Sequence, residues 1–100
     1  MTMKRLTRSV RINNTNGLHM RAAAVLSQLA QRFPCEIGVT CGERHADAKS
    51  ILELLGLVAE PGRELVLEAQ GPESEEAVRH LAALVARRFD LSEESCHENV

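Results

Sequence analysis

The apolar residues of this chain follow two periodicities in alternation, and the order of that alternation limits the folds that the chain can form. Four segments have the short or alternating apolar pattern of β-strands: residues 6–12, 36–40, 44–48 and 64–69. Three segments have apolar residues at helical intervals: residues 20–33, 49–58 and 71–89. The order βαββαβα predicts an α+β fold, an open-faced sandwich with three helices on one face of a four-stranded antiparallel sheet.

Local signals indicate where the predicted helices begin and end. Pro34 ends the first helix. Ser50 precedes Glu53 by the spacing of a capping box and so opens the second helix. The residues expected to pack on the core are Ala22, Leu26, Leu29 and Phe33 in the first helix, Ile51, Leu54, Leu55 and Val58 in the second, and Ala77, Val78, Leu81, Val85 and Phe89 in the third. We expect one domain over residues 1–89 and a polar tail over residues 90–100.

Charge and composition argue against several classes of function. The formal net charge is -2 and the chain has two Phe but no Tyr or Trp, whereas nucleic-acid readers combine a basic face with stacking aromatics. No apolar stretch approaches the roughly 20 residues that cross a bilayer, and the N-terminus lacks the apolar segment of a signal peptide. The cysteines lack zinc-site spacing, and the histidines other than His19 are scattered. We therefore expect a cytoplasmic monomer with reduced thiols, no metal, no cofactor, no nucleic-acid partner and no membrane insertion.

The segment NGLHMRA, residues 16–22, contains features that packing does not explain. Gly17 permits a sharp turn, after which His19 occupies the N-cap or first turn of the first helix, beside amides without an intrahelical partner. Those amides and the positive end of the helix dipole bind anions of phosphate size, and Arg21 adds donors that match phosphate oxygens. The dipole also disfavours a cation there, which favours a neutral, nucleophilic imidazole. These features indicate a histidine that transiently carries phosphate.

The same residues also fit a less specific interpretation. A lone histidine in a loop is more often a solvated surface residue than a nucleophile. A glycine before a helix and an arginine in its first turn are both common. The residue pattern of this segment therefore leaves both interpretations open.

Three segments together resemble a known family. GLHMRAAA, followed by AKSILELLGL and then by EAQGPESEEAV, is similar to the signatures of the HPr family, the small phosphocarriers of the bacterial phosphotransferase system. The resemblance covers roughly residues 4–89 and includes the element order. It implies a carrier rather than an enzyme, in which His19 is phosphorylated, Arg21 stabilises the phosphoryl group, and the backbone of Met20, Arg21 and Ala22 binds it.

The resemblance also implies the route of the phosphoryl group. It would originate from phosphoenolpyruvate, arrive from phosphorylated enzyme I and leave to a histidine or cysteine of a downstream protein of the phosphotransferase system. Two residues depart from the family pattern. Ala22 replaces a proline, and Val58 stands where members often have glycine.

Ser50 and the second helix have further implied roles. Ser50 matches a serine that some family members use for regulatory phosphorylation by an HPr serine kinase/phosphorylase, although helix capping alone would account for it. The second helix also has more apolar residues than one buried stripe needs. By the resemblance, an apolar partner-docking patch beside His19 comprises Met20, Ala24, Ile51, Leu52 and Leu55.

Two other functions stay open. EAQGPESEEA is similar to regulatory carriers of the nitrogen-linked branch, which are not coupled to sugar transport. From a different class, a βαββαβα chain of this size could be a non-catalytic small-molecule binding or interaction domain. Such a domain has no reason to keep His19 and Arg21 together.

Overall fold

Strands and helices follow each other in the predicted order βαββαβα. The computed structural model describes residues 5–91 of the chain. Its strands are β1 (Arg5–Arg11), β2 (Glu36–Cys41), β3 (Arg44–Asp47) and β4 (Glu64–Gln70). Its helices are α1 (Met20–Ala30), α2 (Ile51–Leu55) and α3 (Ser74–Ala86), and a short turn, Arg88–Asp90, follows α3. Residues 92–100, most of the predicted tail, lie outside the described residues.

The four strands form one antiparallel sheet in the order β1-β4-β2-β3. The register pairs Leu6 with Ala69, Ala69 with Ile37, and Leu67 with Val39. Because directly paired residues point to the same face of a sheet, these side chains share one face. Burial alternates along β4, with every second residue from Leu65 onward buried. One face of the sheet is therefore apolar and covered, while the other carries polar and half-buried side chains. The open-faced sandwich with three helices is confirmed.

Helix α3 provides most of the cover for the sheet, since it packs against β1, β4 and β2. All five residues predicted for its buried stripe are buried, four of them on α3 and Phe89 in the turn that follows the helix: Ala77, Val78, Leu81, Val85 and Phe89. Helix α1 packs against both α2 and α3, and buries Ala22 and Leu26 while Leu29 and Phe33 are half-buried. With so few aromatic residues, small aliphatic side chains fill the core.

Helix α2 differs from its prediction in length and in buried face. It ends at Leu55, although Gly56 keeps helical angles (φ -67, ψ -13) and its amide still donates to the carbonyls of Leu52 and Glu53. The amides of Leu57 and Val58 then make turn-type bonds to Leu54 and Leu55, and the positive φ of Val58 turns the chain away from the helix axis. The predicted stripe is wrong for Ile51 and Val58, which are exposed. Leu54 is buried as predicted, and Leu57, beyond the helix end, takes the core position assigned to Val58. The helical periodicity therefore misplaces Val58, which lies beyond the end of α2.

The other helices are also shorter than their apolar patterns. Helix α1 ends at Ala30, and the amides of Arg32 and Phe33 then make turn-type bonds to Leu29 and Ala30 before Pro34. Helix α3 begins at Ser74 rather than at residue 71, and ends at Ala86.

Candidate functional site

His19 caps the N-terminus of α1. Its backbone is extended (φ -85, ψ -175), and its Nδ1 accepts a hydrogen bond from the Arg21 amide at 3.1 Å. The Ala23 amide donates to the His19 carbonyl at 2.8 Å, and this is the first intrahelical hydrogen bond of α1. Because Nδ1 accepts, it carries no proton, so the ring presents a lone pair toward the helix N-terminus. Of the two positions predicted for His19, the N-cap or the first turn, the structure shows the N-cap.

The loop before His19 is held by backbone contacts with a distant loop. Gly17 has φ +67, and a Cβ at this position would lie 2.6 Å from the Ala59 carbonyl oxygen. That same oxygen accepts the amide of Leu18 at 2.9 Å, and Leu18 is buried. The predicted need for glycine therefore has two causes, a left-handed backbone and a close approach.

Two asparagines that were predicted only as turn residues also brace this loop. Buried Asn14 donates its Nδ2 to the Gly17 carbonyl at 2.8 Å, and Asn13 donates to the Ala86 carbonyl at the end of α3. The Oδ1 of Asn14 is buried without a partner among the described atoms. The composition of the NNTNG segment indicated a turn, but no periodic signal distinguishes its buried asparagine from its exposed ones.

Three amides precede the first helical hydrogen bond of α1, those of Met20, Arg21 and Ala22. Met20 and Arg21 are exposed, whereas Ala22 is fully buried. Of these three amides, that of Arg21 donates to His19 Nδ1, and that of Ala22 belongs to a fully buried residue. The Arg21 guanidinium is exposed, and within residues 5–91 it forms no ion pair.

Ser50 caps α2. Its Oγ accepts the Glu53 amide at 3.2 Å, as the capping prediction required. The reciprocal half of the capping box is wrong, because Glu53 Oε1 accepts the Asp47 amide at 2.8 Å instead of the Ser50 amide. The Ser50 amide donates to the Asp47 carbonyl, and this turn brings Asp47 within reach of Glu53.

An exposed apolar surface is formed by α2 and the start of α1. Leu52 is 81% exposed, Met20 67% and Ile51 37%. Leu55 and Ala24 are half-buried. Helices α1 and α2 pack against each other, so these side chains belong to the helical layer of the molecule, as His19 does. Burial in the core therefore does not explain why Leu52 and Met20 are apolar.

Sequence comparison identifies the family. A family model described as the PTS HPr component phosphorylation site matches residues 6–87. The chain belongs to the PTS HPr family. It is 42% identical over 88 residues to the phosphocarrier protein HPr of Cupriavidus necator, covering 88% of this chain and 99% of that protein. It is 41% identical over 88 residues to the phosphocarrier protein NPr of Shewanella violacea, covering 88% of this chain and 97% of that protein.

Solved structures of the HPr family have the same fold. HPr-C-His from Thermoanaerobacter tengcongensis superposes with a TM-score of 0.80 at 34% identity, over 90% of this chain and 99% of that one. An HPr from Bacillus anthracis gives a TM-score of 0.76 at 32% identity, over 79% of this chain and 94% of that one. These findings confirm the resemblance and the family fold over most of the chain.

Of the other histidines, the structure describes His45 and His80, and neither lies in α1. His45 lies on the open face of the sheet, with its Nδ1 2.9 Å from Thr40 Oγ1 and 3.5 Å from Glu68 Oε2. His80 bonds the Glu76 carbonyl within α3. His97 lies outside the described residues. Residues 5–91 contain no group of three or more His, Cys, Asp or Glu that could hold a metal ion.

Two further expectations concern the thiols, expected to be reduced, and the membrane, which the chain is expected not to enter. Cys35 and Cys41 are free and buried, and burial raises the pKa of the Cys35 thiol. Cys96 lies outside the described residues. Among the helices of residues 5–91, none has the length and apolar character of a membrane span.

Proposed function

We propose that this chain carries a phosphoryl group on His19, received from phosphorylated enzyme I and passed to a downstream protein of the phosphotransferase system. The observation that supports this most directly is the position of His19 as N-cap, with Nδ1 at the amide of Arg21. The Nδ1 of His19 and the first-turn amides lie at one helix terminus, and the first turn also contains the exposed Arg21. This is the donor set that a transferred phosphoryl group needs.

The geometry favours Nδ1 as the atom that accepts the group. The Nδ1 lone pair attacks phosphorus and forms the N–P bond, while the bond from phosphorus to the donor's leaving atom breaks. The Arg21 amide then exchanges Nδ1 for a phosphoryl oxygen as its acceptor. A phosphoryl group on Nδ1 lies at the helix N-terminus, where each nearby negative charge gains about 0.3–1 kcal/mol. On Nε2 the group would point away from these amides.

The partners follow from the same proposal. Enzyme I and the downstream acceptor would bind in turn over the exposed surface containing Met20, Ile51 and Leu52, bordered by Ala24 and Leu55. An HPr serine kinase/phosphorylase would act on Ser50, whose Oγ now caps α2. We also propose that the carrier is a cytoplasmic monomer without metal or organic cofactor. Such a protein is a substrate of the transferring enzymes and does not turn over on its own.

A regulatory carrier of the nitrogen-linked branch is the second candidate. Relatives named NPr and relatives named HPr match this chain with nearly equal identity, 41% and 42%. Phosphorylation assays with enzyme I from each branch would separate these two roles. The branch whose enzyme I has the higher kcat/KM for this chain is the branch it serves.

Incubation with phosphoenolpyruvate and enzyme I tests the proposed reaction. Intact-mass measurement should detect one added phosphoryl group, labile in acid and stable in alkali. His19→Ala should abolish the addition and keep the fold. His45→Ala, a matched change on the opposite face of the sheet, should leave it unchanged. A wild-type chain that accepts no phosphate would favour the alternative of a binding or interaction domain, and a phosphorylated His19→Ala variant would show that another residue is the acceptor.

A further inference from the structure

Asn14 is a buried amide in an otherwise exposed turn. The neighbouring turn residues Asn13, Thr15 and Asn16 are exposed, whereas the Asn14 side chain lies inside. Its Nδ2 donates to the Gly17 carbonyl at 2.8 Å, but its Oδ1 accepts no hydrogen bond from a described protein atom. A buried acceptor without a partner costs as much free energy as one hydrogen bond contributes, or more. The net stability of the domain therefore does not account for an asparagine at this position.

The group that Asn14 holds is the peptide unit between Gly17 and Leu18. The carbonyl oxygen of Gly17 and the amide of Leu18 belong to the same planar trans unit. The oxygen accepts Asn14 Nδ2 at 2.8 Å, and the amide donates to the Ala59 carbonyl at 2.9 Å. Because the oxygen and the N–H of a trans peptide point in opposite directions, the unit is held from both sides. It cannot rotate without straining both hydrogen bonds.

His19 begins one residue after this peptide unit. Leu18, between them, is buried in the core, so the chain enters His19 from a fixed residue. The extended backbone of His19 places its Nδ1 3.1 Å from the Arg21 amide. A rotation of the Gly17–Leu18 peptide would change the direction of entry and move Nδ1 away from the helix terminus. A displacement of about 1 Å at a reacting atom can lower a rate by about 100-fold.

We infer that Asn14 is a positioning residue for phosphoryl transfer, which holds the Gly17–Leu18 peptide so that His19 Nδ1 lies where it accepts the group. This inference rests on the proposed function. Asn14 acts through the backbone of Gly17 and Leu18 and not by contact with the phosphoryl group. Its amide supplies a neutral donor, whereas leucine of similar size has no donor and an ionised aspartate only accepts.

Asn14→Leu removes the donor and the unpaired oxygen together and keeps a side chain of similar size. Its Tm should lie within about 8 °C of wild type, the shift that one hydrogen bond would give. The rate of transfer is measured in single turnovers with prephosphorylated enzyme I and rapid quenching. The maximal rate should fall about 10- to 100-fold, because Nδ1 is displaced. The carrier concentration that gives half of that rate should stay within about 2-fold of wild type, because the docking surface is unchanged.

Ser27→Ala is the matched control. Ser27 is the other buried polar side chain of the described residues, and its Oγ accepts Gln31 Nε2 at 3.0 Å. Its loss should shift the Tm by a similar amount but keep the wild-type maximal rate. The ¹⁵N shifts of the neutral His19 ring, assigned by their absence in His19→Ala, provide a second measurement. In Asn14→Leu they should move towards the average of the two tautomers, because Nδ1 leaves the Arg21 amide. In Ser27→Ala they should not move.

A wild-type maximal rate in folded Asn14→Leu would overturn the inference. A lower rate with unchanged His19 shifts would also overturn it, because Asn14 would then act by another route. A higher half-saturating concentration at an unchanged maximal rate would assign Asn14 to binding instead. If Asn14→Leu does not fold, Asn14→Ala, which cannot overpack the site, replaces it; unfolding of both would make Asn14 a determinant of folding alone and contradict the inference. If the wild-type chain accepts no phosphoryl group, the proposed function fails, while the ring shifts still report whether Asn14 positions His19.

Discussion

Replacing Gly17 with alanine should destabilise the domain by more than the free-energy cost of placing an alanine at positive φ. Gly17 has φ +67, a region that costs an L-residue about 1–2 kcal/mol. The new methyl group would also lie 2.6 Å from the Ala59 carbonyl oxygen, whereas ordinary contact begins at 3.4 Å. Because the obstacle is backbone rather than the end of a flexible side chain, one of the two loops must move.

That movement would separate Leu18 from Ala59, whose hydrogen bond is 2.9 Å long. Its loss adds about 1 kcal/mol to the conformational cost, for a total of about 2–3 kcal/mol. In a domain of this size the expected fall in Tm is about 10–20 °C. Since His19 follows Leu18 directly, the rate of phosphorylation by enzyme I should fall as well, at temperatures where the variant is still folded.

Gly62→Ala is the matched control. Gly62 also has positive φ, +89, but an added Cβ would meet no atom within 4 Å, so only the conformational cost of about 1–2 kcal/mol applies. Melting is followed by far-ultraviolet circular dichroism, because the chain has no Trp or Tyr for fluorescence. If Gly17→Ala and Gly62→Ala melt at the same temperature, the close approach to Ala59 is not a determinant of stability and the reasoning fails.

Three further predictions concern the site and the end of α3. Arg21→Ala should slow phosphorylation of the carrier without abolishing it, since the amides and the helix dipole remain; an unchanged rate would remove its guanidinium from the mechanism. Ser50→Ala should lose about 1 kcal/mol in chemical denaturation through loss of the cap, whereas Ser50→Asp should keep that stability yet accept phosphate more slowly, because its charge must be desolvated under a partner. Hydrogen bonds from Arg87 lower the pKa of Asp90, so its contribution to stability is present above the usual carboxyl pKa and is lost as pH falls through the lowered value. The Tm of Asp90→Asn should therefore lie below that of wild type at neutral pH and converge with it in acid, and a constant difference would argue against the ion pair.

The fold could be predicted from periodicity because nearly every element buries one face. The inward residues of β4 and the stripe of α3 follow the spacing of a strand and of a helix, and the structure buries them as predicted. The exceptions are at element ends. Leu57 takes the core position expected of Val58 because α2 stops at Leu55, and the turn-type bonds of Leu57 and Val58 that follow the helix are not encoded in apolar spacing.

The site could be predicted only in part. His19 and Gly17 were identified because a helix start and a sharp turn have characteristic residue types. The contact with Ala59 could not be predicted, since alanine has no polar side chain and only its carbonyl takes part. The Asp47 amide, which donates to the Glu53 carboxylate, could not be predicted either, because the capping-box spacing does not specify how the chain enters α2.

Hydrogen bonds to backbone carbonyls hold residues 13–18, the loop before His19. The carbonyls of Gly17, Ala59 and Ala86 accept hydrogen bonds from donors in residues 13–18. These bonds form when the domain folds, so the position of His19 is ordered before any partner arrives. A partner then need not supply the free energy of ordering the loop, which is a main cost of association. Under the proposed function, a small apolar surface would then be sufficient for binding, and its small size would allow the release that successive transfer between two proteins requires.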